Sequence, residues 1–135
     1  ELGLVILSGI CSIKADDLNA ENIGIRRNVF DGKPTTVYVP IDTNYTVSAG
    51  GYDTLEVAVC KVKAEKKYKP FIVMPDDIVT EHRGKLNWQR DVKLTKLYWV
   101  KLMVVLVSGQ AIHHISMILI ICLMKLIWKK YIISK

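Results

Sequence analysis

The sequence is poor in cysteine, with three in 135 residues. Cys11 and Cys122 lie in the two apolar runs near the ends, which leaves Cys60 alone in the middle segment. A disulfide within that segment is therefore excluded. The middle segment must hold together by packing alone or pair Cys60 with another chain.

Catalytic and cofactor motifs are also missing. Asp76-Asp77 and Glu81-His82 offer carboxylates and a base, but neither a nucleophile nor metal-ligand spacing accompanies them, so they indicate surface turns. Gly50-Gly51 is too short to cradle a phosphate and indicates a hairpin turn. We therefore predict that the protein is not an enzyme and has no cofactor or metal, and we identify no small-molecule substrate.

Residues 1–90 carry no net charge, because their acidic and basic side chains are equal in number. Residues 91–135 hold seven lysines against Asp91, so the whole formal charge of +6 lies around the second apolar run. Lysines at the ends of an apolar run are typical of membrane flanks, whereas a nucleic-acid footprint needs basic side chains spread over a binding surface. We predict a membrane and no nucleic acid among the partners.

The N-terminal stretch ELGLVILSGICSIKADD lacks an initiator methionine and a basic n-region. Its apolar run, the small residue Ala15 and the switch to Asp16-Asp17 are nevertheless typical of the second half of a secretory signal peptide. We predict that residues 1–15 are a partial signal peptide with cleavage after Ala15. The alternative is a buried strand, LGLVIL, in a domain whose beginning is lost.

Residues 16–97 are predicted to form a lumenal or extracellular β-rich domain. Short β-branched and aromatic runs alternate with the turn sequences DGKP, PIDTN, AGGYD and MPDD. This spacing favours a small antiparallel Ig-like β-sandwich, although the segment has no pair of cysteines. The candidate strands are Ile23–Arg26, Thr35–Val39, Tyr45–Ala49, Thr54–Lys63 and Pro70–Met74, with Ile78–Glu81 and Leu86–Gln89 as further candidates.

Leu102–Met124 is an uncharged run of 23 residues, long enough at 1.5 Å per residue to cross a bilayer core of about 30 Å. Aromatic residues and lysines flank it on both sides, as interfacial anchors do. We predict a single transmembrane α-helix with its flanks over residues 98–131 and a short cytoplasmic tail over 132–135. The alternatives are a strand, KLYWVKLMVVLV, followed by a shorter buried helix, and an artefactual gene end rich in lysine and isoleucine.

Gln110, His113, His114 and Met117 would share one face of that helix, because they are spaced by three, four and seven residues. Polar side chains at membrane depth need partners, so this face is predicted to contact a partner helix. Haem or metal ligation is the alternative, but one helix supplies only one side of a haem. A third possibility is that the segment is not a natural membrane helix and that the histidines have no function.

Asn44-Tyr45-Thr46 fits the acceptor pattern for N-glycosylation and follows a turn. A signal peptide and a span would place it on the lumenal side, so we predict that Asn44 is glycosylated.

The predicted layout resembles that of receptor-like surface proteins and of small accessory subunits of ER membrane complexes. It predicts a single-pass type I membrane protein, in the secretory pathway or at the cell surface. Its β-domain would bind or adhere to another membrane or extracellular protein. The alternatives are an accessory subunit held in an ER complex through its span, and a truncated secreted β-protein with an artefactual tail.

Overall fold

A computed structural model describes residues 1–51, 54–86, 89–96, 103–109 and 127–133. These residues form strands joined by turns, with a short 3₁₀ helix, Pro75–Asp77, before the eighth strand. The strands are β1 Leu2–Ser8, β2 Cys11–Ala15, β3 Leu18–Ile23, β4 Thr35–Val39, β5 Tyr45–Ala49, β6 Leu55–Lys61, β7 Phe71–Val73, β8 Val79–Arg83, β9 Arg90–Lys96, β10 Met103–Gly109 and β11 Ile127–Ile133.

The strands are arranged in three sheets. The five-stranded sheet has the order β11-β6-β1-β4-β7. The β2 sheet has the order β3-β2-β5, and the β9 sheet has the order β10-β9-β8. Every pairing between described strands is antiparallel. The architecture of the described residues is therefore mainly β.

β1 is the middle strand of the five-stranded sheet, and every one of its residues is buried. Its side chains alternate between two apolar clusters, because successive residues of a strand point to opposite faces. Leu4 and Ile6 belong to the first cluster, and Val5 and Leu7 belong to the second. The apolar run of β1 is continuous because both faces of the strand are covered.

The first cluster is the core between the five-stranded sheet and the β2 sheet. Leu4 of β1, Val37 of β4 and Val57 of β6 meet Cys11 and Ile13 of β2 there. The chain passes from one sheet to the other directly after β1, so β1 and β2 contribute to the same interior. The result is a sandwich with a mostly apolar interior.

The signal-peptide interpretation of residues 1–15 is wrong for this structure. These residues form β1 and β2, which pair with β4, β6, β3 and β5 and supply much of the first cluster. The alternative of a buried strand over LGLVIL is the one that the structure supports.

The predicted fold, an Ig-like β-sandwich followed by a single transmembrane helix, is also wrong. Within residues 98–131, Met103–Gly109 pairs with β9 as β10, and β11 begins at Ile127 and pairs with β6. Among the residues that the structure describes, no helix has the length and apolar character needed to cross a membrane. The Ig-like arrangement fails because it left out β1, which lies at the centre of the five-stranded sheet.

Several predicted strands nevertheless lie where expected. Thr35–Val39 and Tyr45–Ala49 have the predicted bounds as β4 and β5. β6 and β7 lie inside the ranges predicted for them. The predicted strand Ile23–Arg26 is displaced, because β3 ends at Ile23 and the chain continues as a loop over residues 24–34.

Candidate functional site

The interior of the sandwich offers little chemistry. Most of its buried side chains are aliphatic, and the exceptions are the Cys11 thiol and the hydroxyl of Thr35, which pairs with Ile6 and is buried. Burial raises the pKa of Cys11 to about 11, so the thiol stays protonated near neutral pH and is a poor nucleophile. The polar groups that remain candidates for function lie outside this core.

A row of polar side chains lies on one face of the β9 sheet, here called the polar face. It consists of Asp91, Lys93 and Thr95 of β9 with Thr80 and His82 of β8. The β9 residues are two apart and so share a face, and the register pairs Thr80 with Lys93 and His82 with Asp91. The face runs from exposed His82 to buried Lys93 and Thr95.

At the exposed end of the polar face, His82 and Asp91 form a hydrogen-bonded pair. His82 Nδ1 donates to Asp91 Oδ1 at 2.7 Å. This partner of His82 was missed in the sequence because β9 was not predicted. Glu81, which precedes His82 in the sequence, accepts a hydrogen bond from Arg83 Nε at 2.9 Å.

Arg26 is a deeply buried cation, with 4% of its surface exposed. Its Nε and Nη2 donate to the carbonyl oxygen of Ile6 at 3.1 and 2.8 Å, and its Nη1 donates to that of Val29 at 3.5 Å. The side chain thus ties the loop of residues 24–34 to β1. All of these acceptors are backbone carbonyls, which carry no formal charge.

Lys93 is buried as well, with 7% exposed, and its Nζ donates to the carbonyl oxygen of Gly32 in the same loop. Burial lowers the pKa of Lys93, and repulsion from Arg26 lowers it further. Asp91 and Asp31 oppose this shift without reversing it. Because Arg26 and Lys93 both donate to carbonyl oxygens of the loop of residues 24–34, we call them the basic pair.

The basic pair has no carboxylate partner in the described part of the chain. The described ion pairs there are Lys67–Asp16, His82–Asp91 and Arg83–Glu81, and none of them includes Arg26 or Lys93. Burial lowers the pKa of Arg26 to about 10, although Asp31 acts in the opposite direction. Two buried cations therefore reach the same loop without an ion pair to a carboxylate of the described residues, although the charge of Asp31 acts on both.

Two buried hydroxyls also lack a partner among the described residues: Thr36 Oγ1 and Thr95 Oγ1. Thr95 follows Lys93 on the polar face. Thr36 pairs with Val5 and therefore shares the face of the second cluster, which extends from the five-stranded sheet to Ile78 at the start of β8. Unpaired buried hydroxyls are uncommon and are typical of places where a water or ligand binds.

Of the predicted site residues, Asn44 is the one that lies in the described part of the chain. Asn44 is exposed and lies directly before β5, so its glycosylation stays a prediction, although the signal peptide and span that supported it are wrong. Gln110, His113, His114 and Met117 lie outside the described residues, and their role in a helix contact also stays a prediction. Asp77 caps the 3₁₀ helix through the Met74 N–H, as expected of turn chemistry.

No group of three or more His, Cys, Asp or Glu side chains within the described ranges is positioned to hold a metal ion. The basic pair, the polar face and the unpaired hydroxyls supply positive charge and hydrogen-bonding groups. Such a set can bind an anion that also carries hydroxyl groups.

Comparison with known proteins gives a family for this architecture. The model of the KduI/IolB family matches residues 1–116. The 5-deoxy-glucuronate isomerase of Halalkalibacterium halodurans is 34% identical over 93 residues, which are 68% of this chain and 34% of that protein. The 5-deoxy-glucuronate isomerase of Geobacillus thermodenitrificans is 36% identical over 93 residues, 68% of this chain and 33% of that protein.

A solved structure shares the fold. The crystal structure of an IolB-like protein from Salmonella typhimurium LT2 superposes with a TM-score of 0.73 at 31% sequence identity. The match covers 82% of this chain and 44% of that one. The architecture is the mainly β, cupin-like fold of KduI/IolB proteins, and the chain spans about a third of the length of the curated relatives it matches.

These comparisons correct the functional predictions made from the sequence. The family match runs through the predicted signal peptide, the β-domain and much of the predicted span, so a type I membrane protein is wrong. The prediction of a non-enzymatic adhesion or protein-binding domain is wrong, because the relatives are named as isomerases. The family match also overturns the predicted membrane and extracellular partners, the accessory-subunit alternative and the secretory location.

Proposed function

The chain belongs to the KduI/IolB family, and from this membership we propose that it is a β-domain of an isomerase that acts on 5-deoxy-glucuronate or a closely related sugar acid. The observation that carries the proposal is the match over 93 residues to enzymes of that name at 34% and 36% identity. The chain has about a third of the length of those enzymes, so the activity of the whole protein is part of the proposal.

The substrate class sets two chemical demands. A uronate carries a carboxylate, which is anionic near neutral pH, and several hydroxyl groups. Isomerisation of a hydroxy aldehyde moves a proton between neighbouring carbon atoms, so it needs a base and a group that stabilises negative charge on the carbonyl oxygen. The aliphatic sandwich interior meets neither demand, whereas the side of the molecule with the basic pair offers positive charge and hydroxyls.

The proposal is tested by incubating the purified chain with 5-deoxy-glucuronate and following the sugar signals by proton NMR. We expect the substrate signals to be replaced by those of an isomer of unchanged mass, with mass spectrometry as the check. Saturation-transfer NMR on the same sample measures binding separately. Glucose, which has no carboxylate, is the control ligand. A folded chain that neither converts nor binds 5-deoxy-glucuronate would contradict the proposal.

A further inference from the structure

Arg26 and Lys93 are two buried cations with unused hydrogen-bonding capacity. The Arg26 guanidinium has five N–H groups, and the Lys93 ammonium has three. One N–H on each of Nη1 and Nη2 and two on Nζ have no acceptor among the described residues, since the contacts made are to the carbonyls of Ile6, Val29 and Gly32. These free donors come from two positive charges that face the same loop.

We propose that the basic pair is a binding site for the carboxylate of a small hydroxy acid. A carboxylate has two oxygens that accept hydrogen bonds, and pairs of this kind with guanidinium or ammonium groups are stronger than neutral hydrogen bonds. The choice of a sugar acid as ligand rests on the proposed function. The proposal of an anion site does not need the proposed function, because it starts from the burial and hydrogen bonds of Arg26 and Lys93.

The charges of Arg26 and Lys93 are not balanced by an ion pair among the described residues. Two like charges removed from water repel each other, and burial of an unpaired charge is costly. Asp31 and Asp91 influence Lys93, but neither forms an ion pair with it within 4 Å in the described structure. A carboxylate bound between the cations would supply the missing negative charge.

The unpaired hydroxyls favour an organic acid that carries hydroxyl groups over a simple anion. Thr95 Oγ1 lies on the same strand and face as Lys93, and Thr36 Oγ1 lies on the face of the five-stranded sheet that is continuous with Ile78 and the start of β8. Each hydroxyl can donate one hydrogen bond and accept two. A ligand hydroxyl can both accept from and donate to such a group, whereas a carboxylate can only accept from it.

A structural role for the two side chains is already visible. Arg26 ties the loop of residues 24–34 to β1, and Lys93 ties the same loop to β9. That role needs one or two bonds from each side chain and predicts no ligand. The experiment must therefore measure binding as well as folding.

The test is calorimetric titration of the full chain with D-glucuronate, with glucose and inorganic phosphate as separate arms. The Lys93→Met variant keeps the aliphatic stem and removes the charge. The matched control is Lys67→Met, because Lys67 also donates to a backbone carbonyl, that of Asp42 at 2.8 Å, but is exposed. Lys93→Arg is the conservative variant, and circular dichroism checks that each variant is folded.

We expect glucuronate to bind the unmodified chain and glucose to bind much more weakly. Lys93→Met should weaken glucuronate binding by about tenfold or more, since hydrogen bonds to charged groups contribute strongly to binding. Lys67→Met should leave it unchanged, and Lys93→Arg should retain most of it. If Lys93→Met does not fold, Arg26→Lys takes its place; it keeps the charge but loses the guanidinium fork and should weaken binding in part.

Equal affinity for glucuronate and glucose, or equal effects of Lys93→Met and Lys67→Met, would overturn the proposal. Phosphate binding as tight as that of glucuronate would overturn the assignment to a carboxylate. Conversion of 5-deoxy-glucuronate with a KM that Lys93→Met does not change would also refute this site while leaving the proposed function standing. Glucuronate binding that depends on Lys93, without any conversion, would support the site and count against the proposed function.

Discussion

Replacing Leu4 tests whether the first residues of the chain are part of the folded core. Leu4 lies at the centre of β1, pairs with Val37 of β4 and Val59 of β6, and is 1% exposed. All three side chains belong to the first apolar cluster. Leu4→Ala would leave a cavity in the middle of the five-stranded sheet, where strands on both sides hold the backbone in place.

The expected cost follows from this position. The substitution removes three carbon atoms, worth about 0.8 kcal/mol each for transfer from water, and the unfilled cavity adds to that. Leu→Ala changes at buried sites typically lower the free energy of unfolding by about 2–5 kcal/mol. Small domains have only about 5–15 kcal/mol in total, so the loss is a large share of the stability.

Leu86→Ala is the matched control, because it is the same chemical change at a side chain that is 86% exposed. Urea unfolding followed by circular dichroism gives the free energy of each variant by linear extrapolation. We expect a change within about 0.5 kcal/mol for Leu86→Ala, as is usual for surface positions. Similar, small effects of both substitutions would refute the placement of Leu4 in the folded core.

The strands with clear turn boundaries could be predicted from the sequence. Thr35–Val39 lies between DGKP and PIDTN, and both of its ends were predicted correctly. In β6 the alternation of Leu55, Val57 and Val59 with Ala58 and Cys60 assigned side chains to two faces, and the structure places them in two different clusters. Local turn chemistry and a period of two are properties of the nearby sequence, so they can be read without the fold.

β1 could not be distinguished from a signal peptide for a physical reason. A strand covered on both faces needs apolar side chains at every position, and such a continuous run looks like the h-region of a leader. The same ambiguity affected Met103–Gly109, which pairs with β9 as a strand although its sequence is as apolar as a membrane span. Periodicity alone does not separate these cases, because it reports neither how many faces are covered nor what covers them.

The basic pair was beyond the reach of sequence patterns. Arg26 was placed inside a predicted strand, and Lys93 was counted among the lysines flanking a membrane span. Lys93 and the carbonyl of Gly32 are 61 residues apart in the chain, and only the tertiary fold brings them together. The sequence does not distinguish a buried lysine from an exposed one, so the burial of the Lys93 charge is visible only in the structure.

Three further predictions concern the surroundings of the sites described. Gly24→Ala should destabilise the chain by about 3 kcal/mol or more, because Gly24 has φ +84° and a new Cβ would lie 2.7 Å from Ile6 Cγ2. Gly32→Ala should lower the free energy of unfolding by only about 1–2 kcal/mol, because Gly32 has φ +73° but a new Cβ there would meet open space. Equal losses for Gly24→Ala and Gly32→Ala in urea unfolding would contradict the packing of this loop. Cys11 should resist alkylation by iodoacetamide in the folded chain near neutral pH, because burial raises its pKa to about 11. Labelled Cys11 in a peptide map of the folded chain would refute its burial. Finally, glucuronate affinity should fall as the pH is raised from about 7 to about 10. Burial and the charge of Arg26 lower the pKa of Lys93 below its ordinary 10.5. Only the protonated amine attracts a carboxylate. The sign follows from linkage: a bound carboxylate favours the charged amine and raises its pKa, so binding takes up protons and weakens as protons become scarce. Glucuronate itself stays ionised throughout this range, so an affinity that did not change with pH would place the anion away from Lys93.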